Sequence, residues 1–146
     1  LVLVHGAMEK DSGVIDFTIE RGVSGRQVAR PKIDQTKLKN VGREQSGREA
    51  ITQYAVKKRF ARFTLLEVQI HTGRTHQIRV HLLAVNHPVV GDNLYFNKKL
   101  NRKKDKEVGR IFLHASVLCF ADLSGTKVCY NSSLPNELSE FLEKLN

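Results

Sequence analysis

Two long β-rich segments, Ala50 to Lys57 and Arg62 to His71, lie in tandem in this sequence with only a few residues between them. Tyr54, Val56, Phe63, Leu65, Leu66, Val68 and Ile70 supply the branched and aromatic side chains that favour a half-buried pleated surface. The Arg59 to Arg62 stretch is short enough for a hairpin connection. Further strands are expected at Leu1 to Gly6, a continuous apolar run, and at Val14 to Ile19. Ile111 to Phe120 and Lys127 to Tyr130 read as two more, around a Ser124-Gly125 turn. Adjacent strands in sequence point to an α+β chain whose sheet is mainly antiparallel or mixed, with flanking helices.

Two helices are expected. After the Thr72-Gly73 break, Thr75 is placed to cap a helix running to about Asn86, stopped by Pro88. Its Ile78, Val80, Leu82, Leu83, Ala84 and Val85 leave it apolar nearly all round, the pattern of a buried helix. Ser133 is read as the cap of a closing helix with Pro135 in its first turn. Leu134, Leu138, Phe141, Leu142 and Leu145 form its apolar stripe. Residues 21–47 and 97–110 are read as basic loops. With 146 residues the chain has room for one domain.

Charge narrows the function. The formal net charge is +9, and from Arg21 to Arg62 twelve Lys/Arg stand against three Asp/Glu. Lys98 to Arg110 carries seven basic and two acidic residues. Positive charge gathered in this way favours a polyanion, the commonest being nucleic acid. Lys98, Lys99, Arg102, Lys103 and Lys104 are the candidate contacts to a nucleic-acid backbone, an RNA backbone under the resemblance given below. No apolar run is long enough for a membrane-spanning helix. Cys119 and Cys129 read as reduced core thiols of a cytosol-type compartment. The opening Leu1-Val2-Leu3-Val4 resembles the middle of a strand rather than a natural start.

The densest chemistry lies in His71-Thr72-Gly73-Arg74-Thr75-His76-Gln77-Ile78-Arg79-Val80-His81. A strand passes through a glycine turn into a helix start, where free backbone N–H groups favour an anion. Arg74, Thr75, His76 and Gln77 stand there as candidate donors to phosphates or base edges. Arg79 lies one turn further in, on a helix whose other faces are apolar, so it needs an acceptor. Both a structural and a catalytic role meet that need. His71, His76 and His81 recur at intervals of five, which suits no metal on one helical face, so neither metal nor cofactor is expected.

This segment strongly resembles the central motif of the RluA-type pseudouridine synthases. Asn86-His87-Pro88-Val89-Val90-Gly91-Asp92-Asn93-Leu94-Tyr95 is similar to that family's "GHP(I/V)xGDxxY" element. Arg110-Ile111-Phe112-Leu113-His114-Ala115, with Leu118 and Phe120, is similar to "RLxLHAxxLxF". Arg48-Glu49-Ala50-Ile51-Thr52-Gln53-Tyr54 resembles "(K/R)xAxTxY", and Leu3-Val4-His5-Gly6 with Gly13-Val14-Ile15-Asp16 resembles "ALVxG…GxIDxPI", with Phe17-Thr18 in place of the usual proline. The resemblance covers nearly the whole chain in family order.

It implies a pseudouridine synthase catalytic fold and the isomerisation of uridine to pseudouridine in ribosomal or transfer RNA. It also implies a cytoplasmic protein that is monomeric when complete. Arg79 takes the position of the family's helix arginine, which holds a catalytic aspartate in a dry pocket. Leu113 takes that of the apolar residue packed against the uracil. The family's aspartate lies in an "HRLDxxTSG" motif upstream of all these segments, and the sequence has no such string; Glu9-Lys10-Asp11-Ser12-Gly13 reads as a turn. The base-contacting tyrosine would fall just before Leu1. The expectation is therefore a single partial domain over residues 1–146, the C-terminal half of a catalytic domain, inactive alone, with Arg79 lacking its partner. The alternative is a non-catalytic RNA-binding module of the same fold.

Overall fold

The computed structural model describes residues 1–32 and 46–145. Five strands form one antiparallel sheet: β1 (Val2–His5), β2 (Ser12–Arg21), β3 (Gln27–Pro31), β4 (Arg48–Arg59) and β5 (Phe63–Ile70), in the order β1-β5-β4-β2-β3. The β4–β5 hairpin is its spine, closed where Phe60 N–H donates to the Phe63 carbonyl, with Tyr54 opposite Val68 and Val56 opposite Leu66. On β4, Ala50, Thr52 and Tyr54 face inward while Glu49, Gln53 and Ala55 face solvent, the period of two that fixes register.

β1 is buried along its whole length. One edge pairs with β5; the other takes hydrogen bonds from two segments that are not strands. Val90 N–H donates to Leu3, His5 N–H to Pro88, and Leu3 N–H to Phe112, with bridges Val4–Val89 and Val2–Leu113. Three of the quoted sequence elements thus meet along one strand.

Helix α1 (Gln77–Ala84) packs on β2, β3 and β4. Leu82 joins Val2, Val4, Ile15, Tyr54 and Leu66 in one core cluster, and Val80 joins Ile19, Ala50 and Tyr95 in another. Helix α2 (Lys103–Val108) and helix α3 (Asn136–Glu143) close the other end. There Leu138 and Phe141 pack on Leu3, Phe60, Phe63 and Phe112, with Leu134, Leu142 and Leu145 at the margin, as the apolar stripe requires.

Several expectations need correction. The loop expected at 21–47 contains β3, joined to β2 through a turn at Gly22–Gly25; the 33–45 part of it lies outside the described residues. The loop expected at 97–110 contains α2, held down by buried Asp105 and Val108. Ile111 to Phe120 is not one strand: residues 111–113 run beside β1, and only β6 (Val117–Ala121) pairs with β7 (Lys127–Asn131). Helix α1 begins at Gln77 with His76, not Thr75, at its N-cap; Pro135, not Ser133, precedes α3. Cys119 and Cys129 are neither core residues nor reduced. They face each other across the exposed β6–β7 ribbon with Cα atoms 4.1 Å apart and are joined by a disulfide.

Candidate active site

The turn into α1 is held by one side chain. Gln77 is buried, its amide donating to the Ile51 carbonyl and to Thr52 Oγ1, both at 3.0 Å. Its Oε1 accepts from Thr72 Oγ1 and from Arg74 N–H. All its polar capacity is engaged internally, so Gln77 is an anchor between helix and sheet and not a donor to RNA, which corrects that expectation. Arg74 is half-buried, with Nε donating to the Glu49 carbonyl, while Thr75 and His76 are exposed. His76 sits at φ 56°, a left-handed conformation that is uncommon for a non-glycine residue. Its Nδ1 lies 3.0 Å from the Tyr95 hydroxyl.

One turn on, Arg79 has a partner within this chain. Its Nε donates to Asp92 Oδ2 and its Nη2 to Asp92 Oδ1, each at 2.7 Å, a bidentate fork. The Arg79 side chain is 20% exposed and that of Asp92 is 0% exposed. The expectation that Arg79 lacks a partner is therefore corrected. Asp92 also accepts, through Oδ1, the N–H groups of Leu94 and Tyr95, so one carboxylate shapes the turn and holds the arginine. The Tyr95 ring lies 4.9 Å from the guanidinium carbon and completes the seat. Burial would raise the Asp92 carboxyl, but Arg79 and the two amides outweigh it and hold the group below the usual carboxylate range. Hydrogen bonding to Asp92 in turn raises Arg79, against the opposing effect of burial.

The ion pair continues inward. Arg102 Nη2 donates to the Asp92 carbonyl at 2.7 Å, and Arg102 Nε to Asp105 Oδ2 at 2.6 Å. His5 Nε2 lies 2.8 Å from Asp105 Oδ1. Asp105 is likewise held low: burial raises it, and His5 and Arg102 outweigh that. Arg102 also lies over the Phe96 ring. Its Nε and Nη2 are thus engaged within the chain. Lys104 pairs with Glu107, whereas Lys98, Lys99 and Lys103 are exposed. Leu113 is half-buried beside Val2, on the cluster that includes Leu82 of α1. Asp92, Tyr95, Asp105 and His5 had no role from sequence. Only the Asp-x-Leu-Tyr spacing, with amides two and three residues on, signalled the Asp92 turn.

His81 is fully buried below this site, with Nδ1 2.9 Å from Thr52 Oγ1 and its ring against Phe17. Burial pushes it down from 6.5 to about 4, against a weaker opposing pull from Asp16. The unfolded chain takes up a proton below about 6.5 that the folded chain refuses until about 4. Stability is thus expected to fall as pH drops through that window, by up to about 3 kcal/mol from this group. Urea melts across the window, compared with His81→Leu, check it: the substitution removes this part of the slope. An unchanged slope places the protonation elsewhere.

A family model described as RNA pseudouridylate synthase matches residues 1–84. An uncharacterized RNA pseudouridine synthase of Bacillus subtilis, YlyB, is 35% identical over 98% of this chain and 42% of its own length. The ribosomal large subunit pseudouridine synthase D of Nitrosomonas europaea is 36% identical over 99% of this chain and 40% of its own. Among solved structures, human RNA pseudouridylate synthase domain containing 4 superposes with a TM-score of 0.75 at 26% identity, covering 99% of this chain and 60% of that one. The chain therefore spans about two fifths of the length of these curated relatives.

Proposed function

The chain belongs to the RNA pseudouridylate synthase family, and from that premise we propose that it supplies the arginine side of a uridine-isomerising site acting on ribosomal or transfer RNA. The observation that carries this reading is the Arg79–Asp92 fork on a buried helix. Asp92 occupies the Nε and Nη2 edge of the guanidinium. Nη1 hydrogen-bonds no described residue, and the Arg79 side chain remains 20% exposed. A guanidinium fixed on one edge has its other edge oriented for a second carboxylate or for substrate.

The reaction breaks the N1–C1′ bond of uridine and forms C5–C1′. The C5 hydrogen leaves to solvent and N1 takes up a proton, so no redox partner is required. A carboxylate beside the sugar and base serves this chemistry, and in a pocket sheltered from water it needs a fixed cation to stay ionised. Arg79 is that cation, and Leu113 is the apolar wall for the base. Arg74, Thr75 and His76, exposed or half-buried beside the start of α1, meet the nucleotide, while Lys98, Lys99, Lys103 and Lys104 contact the flanking backbone.

No His-Arg-Leu-Asp string is present in these 146 residues. The expected outcome is that this polypeptide forms no pseudouridine in ribosomal or transfer RNA. A longer polypeptide joining it to an upstream segment with that motif does. Pseudouridine detected with the 146-residue chain alone, or none with the joined polypeptide, contradicts the proposal.

A further inference from the structure

At the end of the sheet away from the Gln77 anchor lies a cavity of about 370 Å³. It is formed where the β4–β5 turn, α2 and the end of α3 come together. Thr52, which Gln77 holds, and Phe60, at the cavity, are eight residues apart along β4 and the turn that follows it. At the rise of an extended strand that is roughly 26 Å. The cavity is thus separate from the turn that leads into α1.

Its chemistry is one-sided. Arg62, Lys103, Lys104 and Lys144 line it, and among the described residues Glu107 is the single carboxylate there, paired with Lys104 at 2.6 Å. Arg62, Lys103 and Lys144 come from three different elements, are exposed, and form no ion pair with any described residue. Phe60 and Phe63, both largely buried, contribute apolar surface. Three cations with no described partner around one concavity repel one another and set up a focused positive potential, which an anion relieves. Cations spread along a groove over an apolar floor fit a chain of phosphates separated by sugars better than an isolated ion.

We propose that this cavity extends the backbone contact assigned to Lys103 into a second RNA-binding surface, a seat for the phosphodiester backbone of nucleotides flanking the target. Arg62 and Lys144 act there together with Lys103. This rests on the RNA reading above, and it adds a surface at the end of the sheet away from the Gln77 anchor. An RNA that reaches both is held at two points, so the fold selects for a structured or extended target.

The test is binding of a short uridine-containing RNA hairpin to the 146-residue chain by fluorescence anisotropy at a series of salt concentrations. The variant Arg62→Gln/Lys103→Gln/Lys144→Gln is compared with Arg21→Gln/Lys57→Gln/Lys127→Gln, which removes the same charge elsewhere. All six positions are exposed, and thermal melts confirm that both variants fold. The cavity variant is expected to flatten the slope of log affinity against log salt by about two to three units. The control is expected to change it much less. Equal losses in the two variants overturn the cavity and leave RNA binding as an effect of net charge. A wild-type chain that binds no RNA overturns the cavity and the RNA reading together. Titration with inorganic phosphate separates the sources: saturable phosphate binding lost in the cavity variant, with RNA affinity unchanged, assigns the site to a free anion and overturns the RNA assignment.

Discussion

Arg79→Met is expected to destabilise the chain by about 3 kcal/mol at neutral pH, because it leaves the Asp92 carboxylate buried without its cation. Taken as a lone cation in an apolar helix, Arg79 would be replaced by methionine at little or no cost, since methionine keeps the packing of the stem. The Asp92 fork reverses that sign. Leu94 and Tyr95 N–H still donate to Asp92 in the variant, and this keeps the loss at the lower end of the range for a broken buried pair. The pH dependence is a second signature. Without Arg79, the Asp92 carboxyl rises relative to wild type, because burial is then opposed only by the two amides, so the stability difference between wild type and variant narrows as falling pH protonates the group. Denaturant melts of wild type and variant across the acid range measure this; a difference that stays constant with pH contradicts it.

Gly91→Ala is expected to be comparably damaging, at about 2–5 kcal/mol. Gly91 has φ +75°, and a Cβ there would stand 1.9 Å from the Arg110 carbonyl oxygen. The neighbouring backbone cannot yield freely. Val90 accepts from Phe112 N–H and donates to Leu3, and Asp92 holds Arg79 on the other side. Relief of the clash therefore strains both the β1 edge and the arginine seat. A melting temperature within a degree or two of wild type would show that the turn has slack the packing does not reveal.

What was legible in the sequence follows from periodicity. The β4–β5 hairpin, the buried helix around Val80 to Leu82 and the stripe from Leu134 to Leu145 all announce themselves through apolar spacing, and all are present. β3 and α2 did not, because Gln27–Pro31 and Lys103–Val108 are polar pieces whose structure comes from what they lie against. β3 is ordered by pairing with β2; α2 is ordered by burying Asp105 under His5, a contact between residues 100 apart in sequence. No local pattern encodes such a pair.

The site divides in the same way. Arg79 stood out because a cation in an apolar helix demands an acceptor, yet nothing in the spacing said that the acceptor lies 13 residues on, beyond the helix exit. Gln77 and Arg102 have the polarity of ligand-binding residues, and in the folded chain their hydrogen bonds are internal. Polarity marks where chemistry is possible; burial decides whether the group faces a ligand or the protein.

The proposed role of Arg79 in the isomerisation, with Asp92 holding it in place, has a direct test. The direct measurement is pseudouridine formation in ribosomal or transfer RNA by the joined polypeptide carrying Arg79→Met together with Asp92→Asn. Asparagine keeps an oxygen for the Leu94 and Tyr95 amides and removes the unpaired charge, so most of the stability lost in Arg79→Met is expected to return. The double variant is expected to melt near wild type and to form no pseudouridine; turnover at the wild-type rate would contradict a catalytic role and leave Arg79 with a structural one alone.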